Sequence, residues 1–339
     1  MPTHKALLLV EKLGNFVVRD IETPKPGPGE LLVEVKAAGV NPRDWKIQST
    51  SMSDFVTHYP AVLGMDAAGV VKEVGVGVTG FDVADRVVYQ GFYPNRQATF
   101  QQYSIAIAEV AAKGATIPLA INAAAFGLYS GKISTGELRG AGLVPVWEEG
   151  GRGKYADQPF LVIGGSSSLG QQAIQLAKLS GFNPIITTAS PHNAEFLKSL
   201  GATHVIDRSA PLSTSVKAIT PEPIKYVHDV VSSKETQEAA YEVVAPGGTL
   251  ILVLASAIDE SKADKSVTVA STFGTAHDPA QRALGVGLYK NLTQLLESGD
   301  IKPNKVEVIP NGLAGLPDGL EKLKAHKVSA SKLIAQPWA

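Results

Sequence analysis

Short hydrophobic runs of β-forming residues, separated by turns rich in glycine and proline, dominate the first 115 residues or so. The turn Pro24-Lys25-Pro26-Gly27-Pro28-Gly29 separates two of these runs. Closely spaced strands with such turns are typical of barrels, so this region is predicted to be a barrel-like β domain. The predicted strands are Ala6–Val10, Phe16–Ile21, Leu31–Ala38, Ala68–Val74 and Arg86–Gln90.

After Pro159 the pattern becomes an alternation of apolar strands and helical periodicity. Gly181 and Gly201 stand where two of the helices should end. This βαβ series predicts a parallel sheet with right-handed crossovers. The predicted strands are Phe160–Gly164, Pro184–Thr188, His204–Ile206, Tyr226–Val231 and Thr249–Leu254. The predicted helices are Leu169–Leu179, Pro191–Leu200 and Lys234–Val244.

The segments around this alternation are less regular. Small residues over Pro118–Gly131 predict a helix that can approach another element closely, and the glycine-rich segment Gly136–Pro159 is predicted to be an exposed loop. Towards the C-terminus the pattern predicts helices at Leu288–Leu296 and Leu313–Ala325. A final strand at Lys332–Ala335 is predicted to return to the first domain.

The strongest functional signal is the turn after the first strand of the alternating region, within FLVIGGSSSLG from Phe160 to Gly170. A strand, a Gly/Ser turn and a helix start form the arrangement that holds a dinucleotide pyrophosphate. Aligned on GxGxxG, the motif has Ser167 at its middle glycine. A turn of an unrelated α/β protein is the alternative. The predicted cofactor contacts here are Gly165, Ser166, Ser167, Ser168, Leu169 and Gly170.

The end of the second strand of this region distinguishes NAD from NADP. An acidic residue there would bind the ribose diol of NAD and repel a 2′-phosphate, but this segment has no acid until Glu195. Ser190 and Asn193 can donate hydrogen bonds, and Arg208 can supply positive charge. We therefore predict NADPH as the cofactor. Simple capping of the following helix remains the alternative for Ser190.

Composition and charge narrow the classes of protein. The 339 residues are enough for two domains, and 44% hydrophobic with 19% charged residues is typical of globular proteins. The net charge of −1 gives no reason to expect a nucleic acid or an anionic membrane as partner. The longest apolar run, Leu250–Ile258, is too short to span a bilayer. No signal peptide is recognised, and a cytoplasmic location is expected.

The sequence lacks the residues that several catalytic mechanisms require. The chain has no cysteine, which excludes disulfides, thiolate nucleophiles and Cys-ligated zinc sites. It contains neither HExxH nor GxSxG, and no tyrosine is followed four residues later by lysine.

Together the motifs resemble the medium-chain dehydrogenase/reductase superfamily, in its zinc-independent quinone-reductase-like and enoyl-reductase-like branch. The SPHN segment at 190–193 is shared with fungal trans-acting enoyl reductases. The resemblance covers nearly the whole chain. It rests on the segments Asn41–Lys46, Leu63–Val87, Gly165–Gly170, Thr188–Asn193, Leu197–Asp207, Ala245–Gly248 and His326–Leu333.

The resemblance implies an α/β fold with a GroES-like, β-barrel-type substrate domain and a Rossmann domain built on a doubly wound parallel sheet. The implied bounds are residues 1–125 for the substrate domain, 126–272 for the NADP-binding domain and 273–339 for a return to the first. In zinc alcohol dehydrogenases a cysteine ligand falls near Asn41, and Gly-His-Glu falls near Gly64-Met65-Asp66. Both are lost here, so no metal site is expected.

The resemblance also implies site residues. Its implied cofactor contacts in the first part of the chain are Arg43, Asp44, Trp45 and Lys46. The turn at 166–169 follows, and Ser190, His192, Asn193 and Arg208 are implied around the 2′-phosphate. Val253 and Leu254 would lie beside the nicotinamide, and Val328 and Ser329 would close the site. Two residues depart from the family pattern, since Ala84 and Ala330 stand where relatives usually have glycine.

The predicted reaction is reduction of the C=C bond of an α,β-unsaturated carbonyl by NADPH. Asn41, Lys46 and backbone groups are candidates for stabilising the enolate oxygen, and Tyr59 or water for supplying the proton. A turn role for Asn41 and a half-buried cleft role for Tyr59 stay open. Asp44 is expected to orient a loop rather than to titrate.

Two other functions remain open at this point. One is an NADPH:quinone reductase with an aromatic-lined cleft, for which the candidate walls are Tyr59, Phe92, Tyr93, Phe126 and Tyr129. The other is a nucleotide-binding protein with a structural or sensing role. The expected partner is a small-molecule enone or enal or a carrier-linked enoyl group, and both a monomer and a homodimer are compatible with the sequence.

Overall fold

The chain divides into two compact units in a computed structural model, which describes residues 2–114, 118–133, 136–137, 139–259, 261, 264 and 266–339. The first unit comprises Met1–Leu119 and Pro303–Ala339, and the second comprises Ala120–Lys302. The first boundary falls slightly before the predicted residue 125, and the chain returns to the first unit later than the predicted residue 273. No described helix is long and apolar enough to cross a membrane.

The elements of the described chain follow in order. The strands are β1 Thr3–Leu9, β2 Phe16–Glu22, β3 Glu30–Gly39, β4 Ala61–Val62, β5 Asp66–Val74, β6 Arg86–Gln90, β7 Tyr103–Ile107, β8 Ala111–Lys113, β9 Phe160–Ile163, β10 Ile185–Ala189, β11 His204–Asp207, β12 Ile224–Asp229, β13 Val244–Leu252, β14 Thr268–Ser271, β15 Lys305–Val308 and β16 Ser331–Ala335. The helices are α1 Pro42–Ser49, α2 Pro118–Tyr129, α3 Ser168–Ser180, α4 Ala194–Leu200, α5 Leu212–Ile219, α6 Lys234–Tyr241, α7 Arg282–Glu297 and α8 Leu316–Lys324. Short 3-10 helices occur at Ser51–Phe55, Ala108–Val110, Pro191–Asn193, Pro279–Gln281 and Gly312–Gly315.

The first unit is built from two mainly antiparallel sheets. The smaller has the order β2-β1-β4, and the larger has the order β15-β16-β3-β5-β6-β8 with β7 also paired to β3. All five predicted strands of this region are present. Strands β4, β7 and β8 were not predicted from the sequence. The pairing of β16 with β3 and β15 confirms that the chain's last strand returns to this unit.

The second unit contains the predicted parallel sheet. Its six strands have the order β11-β10-β9-β12-β13-β14, and every neighbouring pair is parallel. The strand order reverses at β9, which is the topology of a doubly wound dinucleotide-binding sheet. Its central strands are buried on both faces, with Leu161, Ile186 and Leu250 fully shielded from solvent. Helix α5 and strand β14 were not predicted from the sequence.

Helix α7 belongs to the second unit because buried polar contacts join its region to α2. The Asn122 side chain donates to the Tyr289 hydroxyl at 3.0 Å, and Ser130 donates to the Gln281 side chain at 3.0 Å. Polar residues facing into a packed helix pair need such partners.

A buried ion pair holds β16 against the N-terminal elements of the first unit. The Lys332 ammonium lies 2.6 Å from Asp66 Oδ2 and donates to Asn41 Oδ1 at 2.5 Å. The Lys332 side chain is 12% exposed and that of Asp66 is 5% exposed. A Cβ atom at Gly39 would approach both Asp66 and Lys332 to 2.9 Å. Glycine at position 39 therefore leaves the room that the ion pair needs.

A fully buried histidine lies in the parallel sheet. His228 of β12 is opposite Val162 of β9 and Ile251 of β13. It packs on Gly127 of α2, where a Cβ would come within 2.7 Å of the ring. Neither ring nitrogen has a hydrogen-bond partner among the described residues. Burial lowers the pKa of His228 to about 3, so the ring is neutral in the folded protein.

The first prediction concerns the buried ion pair. Lys332→Met leaves the Asp66 carboxylate buried without its cation, and we expect the free energy of unfolding to fall by about 3–5 kcal/mol. Lys72→Met is the matched control, because the Lys72 ammonium pairs with Glu34 at 3.2 Å while remaining largely exposed. The control should cost less than about 1 kcal/mol. Equal losses in urea titrations of the two variants would contradict a special role for Lys332.

The second prediction concerns acid stability. The unfolded chain takes up a proton at His228 near pH 6.5, whereas the folded protein does so only near pH 3, so protonation at this site favours unfolding as the pH falls through that window. His228→Met should therefore remove about 2 kcal/mol of the stability lost between pH 7 and pH 5. His58→Met, at an exposed position, is the control. Urea titrations at both pH values measure the effect, and unchanged pH dependence in His228→Met would contradict it.

Candidate functional site

The turn between β9 and α3 is tight enough to require its glycines. Gly164 has φ of +86°, a conformation that other residues rarely adopt. A Cβ at Gly165 would lie 2.1 Å from the Thr187 hydroxyl, and one at Gly170 would lie 2.4 Å from the Gly164 carbonyl oxygen. The turn therefore passes close to β10 on one side and to the start of α3 on the other. This is the geometry that the glycine pattern predicted.

Ser167, which stands at the middle glycine of the motif, caps α3. Its hydroxyl accepts a hydrogen bond from the Gly170 N–H at 3.0 Å, and the Gln171 side chain donates to the Ser166 carbonyl at 2.9 Å. The first turn of a helix carries N–H groups without intrahelical acceptors, together with the positive end of the helix dipole. The turn and the 13-residue helix α3 thus fit a pyrophosphate group.

The segment after β10 carries the residues predicted to contact a 2′-phosphate. Ser190 precedes the 3-10 helix at 191–193, and its side chain makes no capping hydrogen bond. The Asn193 N–H donates to the Ser190 carbonyl at 3.0 Å, and the Asn193 side chain is buried, whereas His192 is exposed. The N–H of the exposed Arg208 donates to the Ala189 carbonyl at 3.1 Å. The structure therefore places Arg208 next to the Ser190 segment.

An acidic residue that the sequence prediction passed over lies beside this segment. Asp207, the last residue of β11, is opposite Ala189 in the sheet register. Its carboxylate accepts from the Ser209 N–H at 3.0 Å and from the Ser209 hydroxyl at 2.8 Å. These hydrogen bonds lower the pKa of Asp207. Its carboxylate oxygen Oδ1 is thus occupied within its own turn.

The carboxyl ends of β12 and β13 are joined by an Asp229 network. Asp229 Oδ1 accepts from the Val231 N–H at 3.0 Å and from the Ser232 N–H at 2.8 Å, and Oδ2 accepts from the Thr236 hydroxyl at 2.7 Å. The Ser232 hydroxyl in turn accepts from the Val253 N–H at 3.0 Å. The segment with Val253 and Leu254, predicted to lie by the nicotinamide, is therefore anchored to β12. The sequence analysis did not identify Asp229 or Ser232.

In the first unit the Asn41 side chain is held on two sides. Its Nδ2 donates to Asp66 Oδ2 at 2.9 Å, and its Oδ1 accepts from the Lys332 ammonium. Asn41 is 6% exposed and immediately precedes α1. The amide orientation is therefore fixed by the buried ion pair. Asp66 and Lys332 were not predicted as site residues, although both lie in segments that carry the family resemblance, because their contact joins positions far apart in the sequence.

Asp44 caps α1 from inside the protein. Its Oδ2 accepts from the Asn41 N–H at 2.8 Å, and the residue is fully buried. Burial raises the pKa of Asp44 to about 7, although the Asn41 hydrogen bond and the positive charges of Lys332 and Arg43 oppose the shift. The expectation that Asp44 orients a loop agrees with this cap. Its complete burial is a property that sequence spacing does not reveal.

The other candidate residues of α1 combine cations with aromatic rings. The Arg43 guanidinium lies 4.4 Å from the centre of the Tyr93 ring and 5.7 Å from that of Phe55, and burial lowers its pKa to about 10. The Lys46 ammonium lies 5.7 Å from the centre of the Trp45 ring, and partial burial lowers its pKa. Helix α1 therefore concentrates positive charge beside aromatic surface.

Tyr59 hydrogen-bonds outside the Asn41 network. Its hydroxyl donates to the Ser53 carbonyl at a long 3.4 Å, and desolvation raises its pKa. Val328 is partly buried against the core of the first unit, and Ser329 next to it is exposed. Among the described residues no hydrogen bond or ion pair joins Tyr59 to Asn41 or Lys46, and its role as proton donor stays a prediction.

Two alanines stand where relatives usually have glycine. Ala84 and Ala330, which replace family glycines, have φ of +77° and +52°. Both loops thus keep a glycine-like backbone.

Of the aromatic walls considered for a quinone cleft, Phe126 is fully buried, and Tyr129 is 5% exposed with its hydroxyl bonded to Ser180 at 3.0 Å. These two rings pack in the interior of the second unit and do not line an open cleft.

Comparison with known proteins agrees with this arrangement. The model of the alcohol dehydrogenase GroES-like domain matches residues 27–129, and that of the zinc-binding dehydrogenase matches residues 168–281. Despite the second name, the described residues contain no group of three or more histidine or acidic side chains that could hold a metal.

Curated relatives match over nearly the full length. The trans-enoyl reductase grgB of Penicillium is 30% identical and covers 98% of each chain, and the trans-enoyl reductase RAP2 of Pyricularia oryzae is 31% identical and covers 97% of each chain. An alcohol dehydrogenase superfamily protein from Novosphingobium aromaticivorans shares the fold, with a TM-score of 0.79, 24% identity and coverage of 98% of this chain and 99% of that one. The predicted combination of a GroES-like domain with a Rossmann-type parallel sheet is confirmed. This chain belongs to the medium-chain dehydrogenase/reductase superfamily, in its enoyl reductase branch.

Proposed function

We propose that this protein is an NADPH-dependent reductase that saturates the C=C bond of an α,β-unsaturated carbonyl or carrier-linked enoyl substrate without a metal ion. The observation that carries the proposal is the likeness to trans-enoyl reductases over nearly the whole chain. Reductases of this superfamily use nicotinamide cofactors. Such a reaction needs a site for the cofactor pyrophosphate, for which the glycine turn of the second unit is the candidate. It also needs hydrogen-bond donors for the substrate oxygen, for which the polar residues at α1 are the candidates.

The choice of NADPH rests on the segment that follows β10. The hydroxyl of Ser190 makes no capping bond, the buried Asn193 follows closely, and Arg208 is attached by its backbone to Ala189. Hydrogen-bond donors and a cation favour a 2′-phosphate, whereas NAD-binding sites place an acid there. Oδ1 of the neighbouring Asp207 carboxylate is occupied by Ser209. These contacts support NADPH over NADH.

The chemical step needs a hydride and stabilisation of negative charge on the substrate oxygen. When bound, NADPH supplies the hydride for the β-carbon of the substrate. Asn41 has two amide N–H groups, and its bond to Asp66 uses one of them. The other can donate to the developing oxyanion, and its direction is fixed because Asp66 and Lys332 hold the amide. The partly buried ammonium of Lys46 adds positive charge on the same helix.

Activity assays test this proposal against its rivals. We expect purified protein to oxidise NADPH in the presence of an enone or enoyl thioester, with stoichiometric formation of the saturated product and about tenfold or greater preference over quinones. Activity should survive dialysis against a chelator. Preferred reduction of quinones would favour quinone reductase function, and saturable NADPH binding without any turnover would favour a structural or sensing role. Activity that is lost on chelation and restored by zinc would overturn the metal-free reaction.

A substitution tests the cofactor assignment. Ser190→Asp places a carboxylate where we propose the 2′-phosphate binds, so the preference for NADPH over NADH should fall by about tenfold or more through charge repulsion. Ser199→Asp is the matched control, because Ser199 is an exposed serine of α4 outside the proposed contacts. The ratio of kcat/KM for the two cofactors is the measurement. An unchanged ratio in Ser190→Asp would contradict the proposed location.

A further inference from the structure

We infer that Gln237 is a positioning residue for the nicotinamide half of the cofactor, because its buried amide sets the shape of two loops beside the glycine turn. The inference rests on the NADPH binding that is part of the proposed function. It concerns how the cofactor is held and does not depend on which substrate is reduced. Gln237 lies in α6 of the second unit, in a segment that the sequence analysis did not connect with the site.

The glycine turn lies where the strand order of the parallel sheet changes direction. The chain runs from β9 outward to β10 and β11 on one side, and β12, β13 and β14 follow on the other side. In such sheets a ligand binds outside the carboxyl ends of the strands at this point. With the 2′-phosphate at Ser190 after β10, as proposed, the nicotinamide half must extend past the turn to the loops that follow β12 and β13.

The loop after β12 borders the glycine turn directly. The Val230 N–H donates to the Ile163 carbonyl at 3.1 Å. A Cβ at Gly164 would come within 2.6 Å of the Val231 side chain. Val231 is 45% exposed, and its N–H is fixed by the Asp229 carboxylate at 3.0 Å. The loop therefore presents an apolar side chain to solvent right beside the turn that fits a pyrophosphate.

The Gln237 side chain joins this loop to the loop that follows β13. The residue is 1% exposed, and its Nε2 donates to the Ser232 carbonyl at 3.0 Å and to the Ala255 carbonyl at 3.1 Å. Its Oε1 accepts from the Ala257 N–H at 2.7 Å. A glutamine amide has two N–H donors and one carbonyl oxygen. Both donors and the oxygen are therefore used on backbone groups of the two loops.

The loop after β13 depends on these contacts for its shape. Residues 255–257 are exposed and lie outside any helix or strand. A further bond joins the two loops, since the Val253 N–H donates to the Ser232 hydroxyl at 3.0 Å. Ser232 has φ of +52°, a conformation that a residue with a Cβ keeps only when its surroundings hold it. Loops that are fixed before a ligand arrives bind it more tightly, because less ordering is needed on binding.

The main test measures the binding of two ligands to Gln237→Met. Methionine keeps the length of the side chain but makes none of the three hydrogen bonds. We expect the Kd for NADPH to rise about tenfold, since the two loops lose their fixed shape. Adenosine 2′,5′-bisphosphate carries the 2′-phosphate but has no nicotinamide, so its Kd should stay within about twofold of the wild-type value. Isothermal titration calorimetry measures both constants.

The matched control is Gln101→Met in the first unit. Gln101 is fully buried, its Nε2 donates to the Asn95 and Ala98 carbonyls at 2.6 Å each, and its Oε1 is bonded to His4 at 3.0 Å. The control therefore loses the same kind of amide with the same number of partners. We expect a comparable loss of thermal stability, with wild-type Kd values for both ligands.

Ser232→Gly provides a second measurement if Gln237→Met fails to fold. Glycine readily adopts the left-handed backbone of residue 232, so this variant should fold. It lacks the hydroxyl that accepts from the Val253 N–H. The Kd for NADPH should rise about threefold or more, again with unchanged binding of the bisphosphate.

The two ligands separate a positioning role from a purely structural one. Equal weakening of NADPH and bisphosphate binding in Gln237→Met would assign the residue to the fold alone, and unchanged binding of NADPH would show that the loops do not need it. Either result would overturn the inference. A wild-type protein that binds no NADPH would refute the proposed function and the inference together. Saturable NADPH binding without enoyl reduction would refute only the proposed reaction, and the titrations of the variants would still decide the role of Gln237.

Discussion

The buried contact of the Lys332 ammonium with Asp66 and Asn41 is the constraint on which the first unit depends. It joins the last strand of the chain to Asn41, which follows β3, and to Asp66 at the start of β5, and it fixes the amide that precedes α1. An ion pair at this depth is maintained only if each charge keeps its partner, because an isolated buried charge is very costly. The same cation lies close enough to influence Asp44. The candidate chemistry of the site therefore depends on a non-covalent contact between the last strand and the N-terminal part of the chain.

This arrangement bears on the metal-free reaction that we propose. Zinc relatives place ligands near the positions of Asn41 and Asp66, whereas here an ammonium group lies between these two side chains. The ammonium supplies a positive charge that is covalently part of the chain and cannot be removed by a chelator. Unlike a metal ion, it has no vacant coordination position for a substrate oxygen. In the proposed reaction, polarisation of the substrate therefore falls to hydrogen-bond donors, of which the fixed Asn41 amide is our candidate.

Much of the fold could be predicted from local sequence patterns, and the site only in part. Five of the six strands of the parallel sheet and the glycine turn were predicted, because apolar runs and tight turns have local signatures. Helix α1 was not predicted, because its eight mostly polar residues show little periodicity. Asn41, Pro42 and Asp44 nevertheless form a recognisable helix start. The contact between Lys332 and Asn41 joins residues 291 positions apart, and the pKa of Asp44 depends on complete burial. Neither property is present in any short stretch of sequence.

The alanines at positions 84 and 330 have a further consequence for the loops that contain them. A left-handed backbone costs an alanine about 1 kcal/mol relative to glycine, so neither loop adopts its shape through local preference. The shape is imposed from outside: Ala84 is tied to Val71 by a backbone hydrogen bond of 2.9 Å, and Ala330 directly precedes the pairing of β16 with β15. Both loops are therefore clamped at their ends by the sheet. We expect the backbone of these two loops to leave its left-handed conformation only when the sheet unfolds. The order of Val328 and Ser329, which adjoin Ala330, therefore depends on the cooperative folding of the first unit.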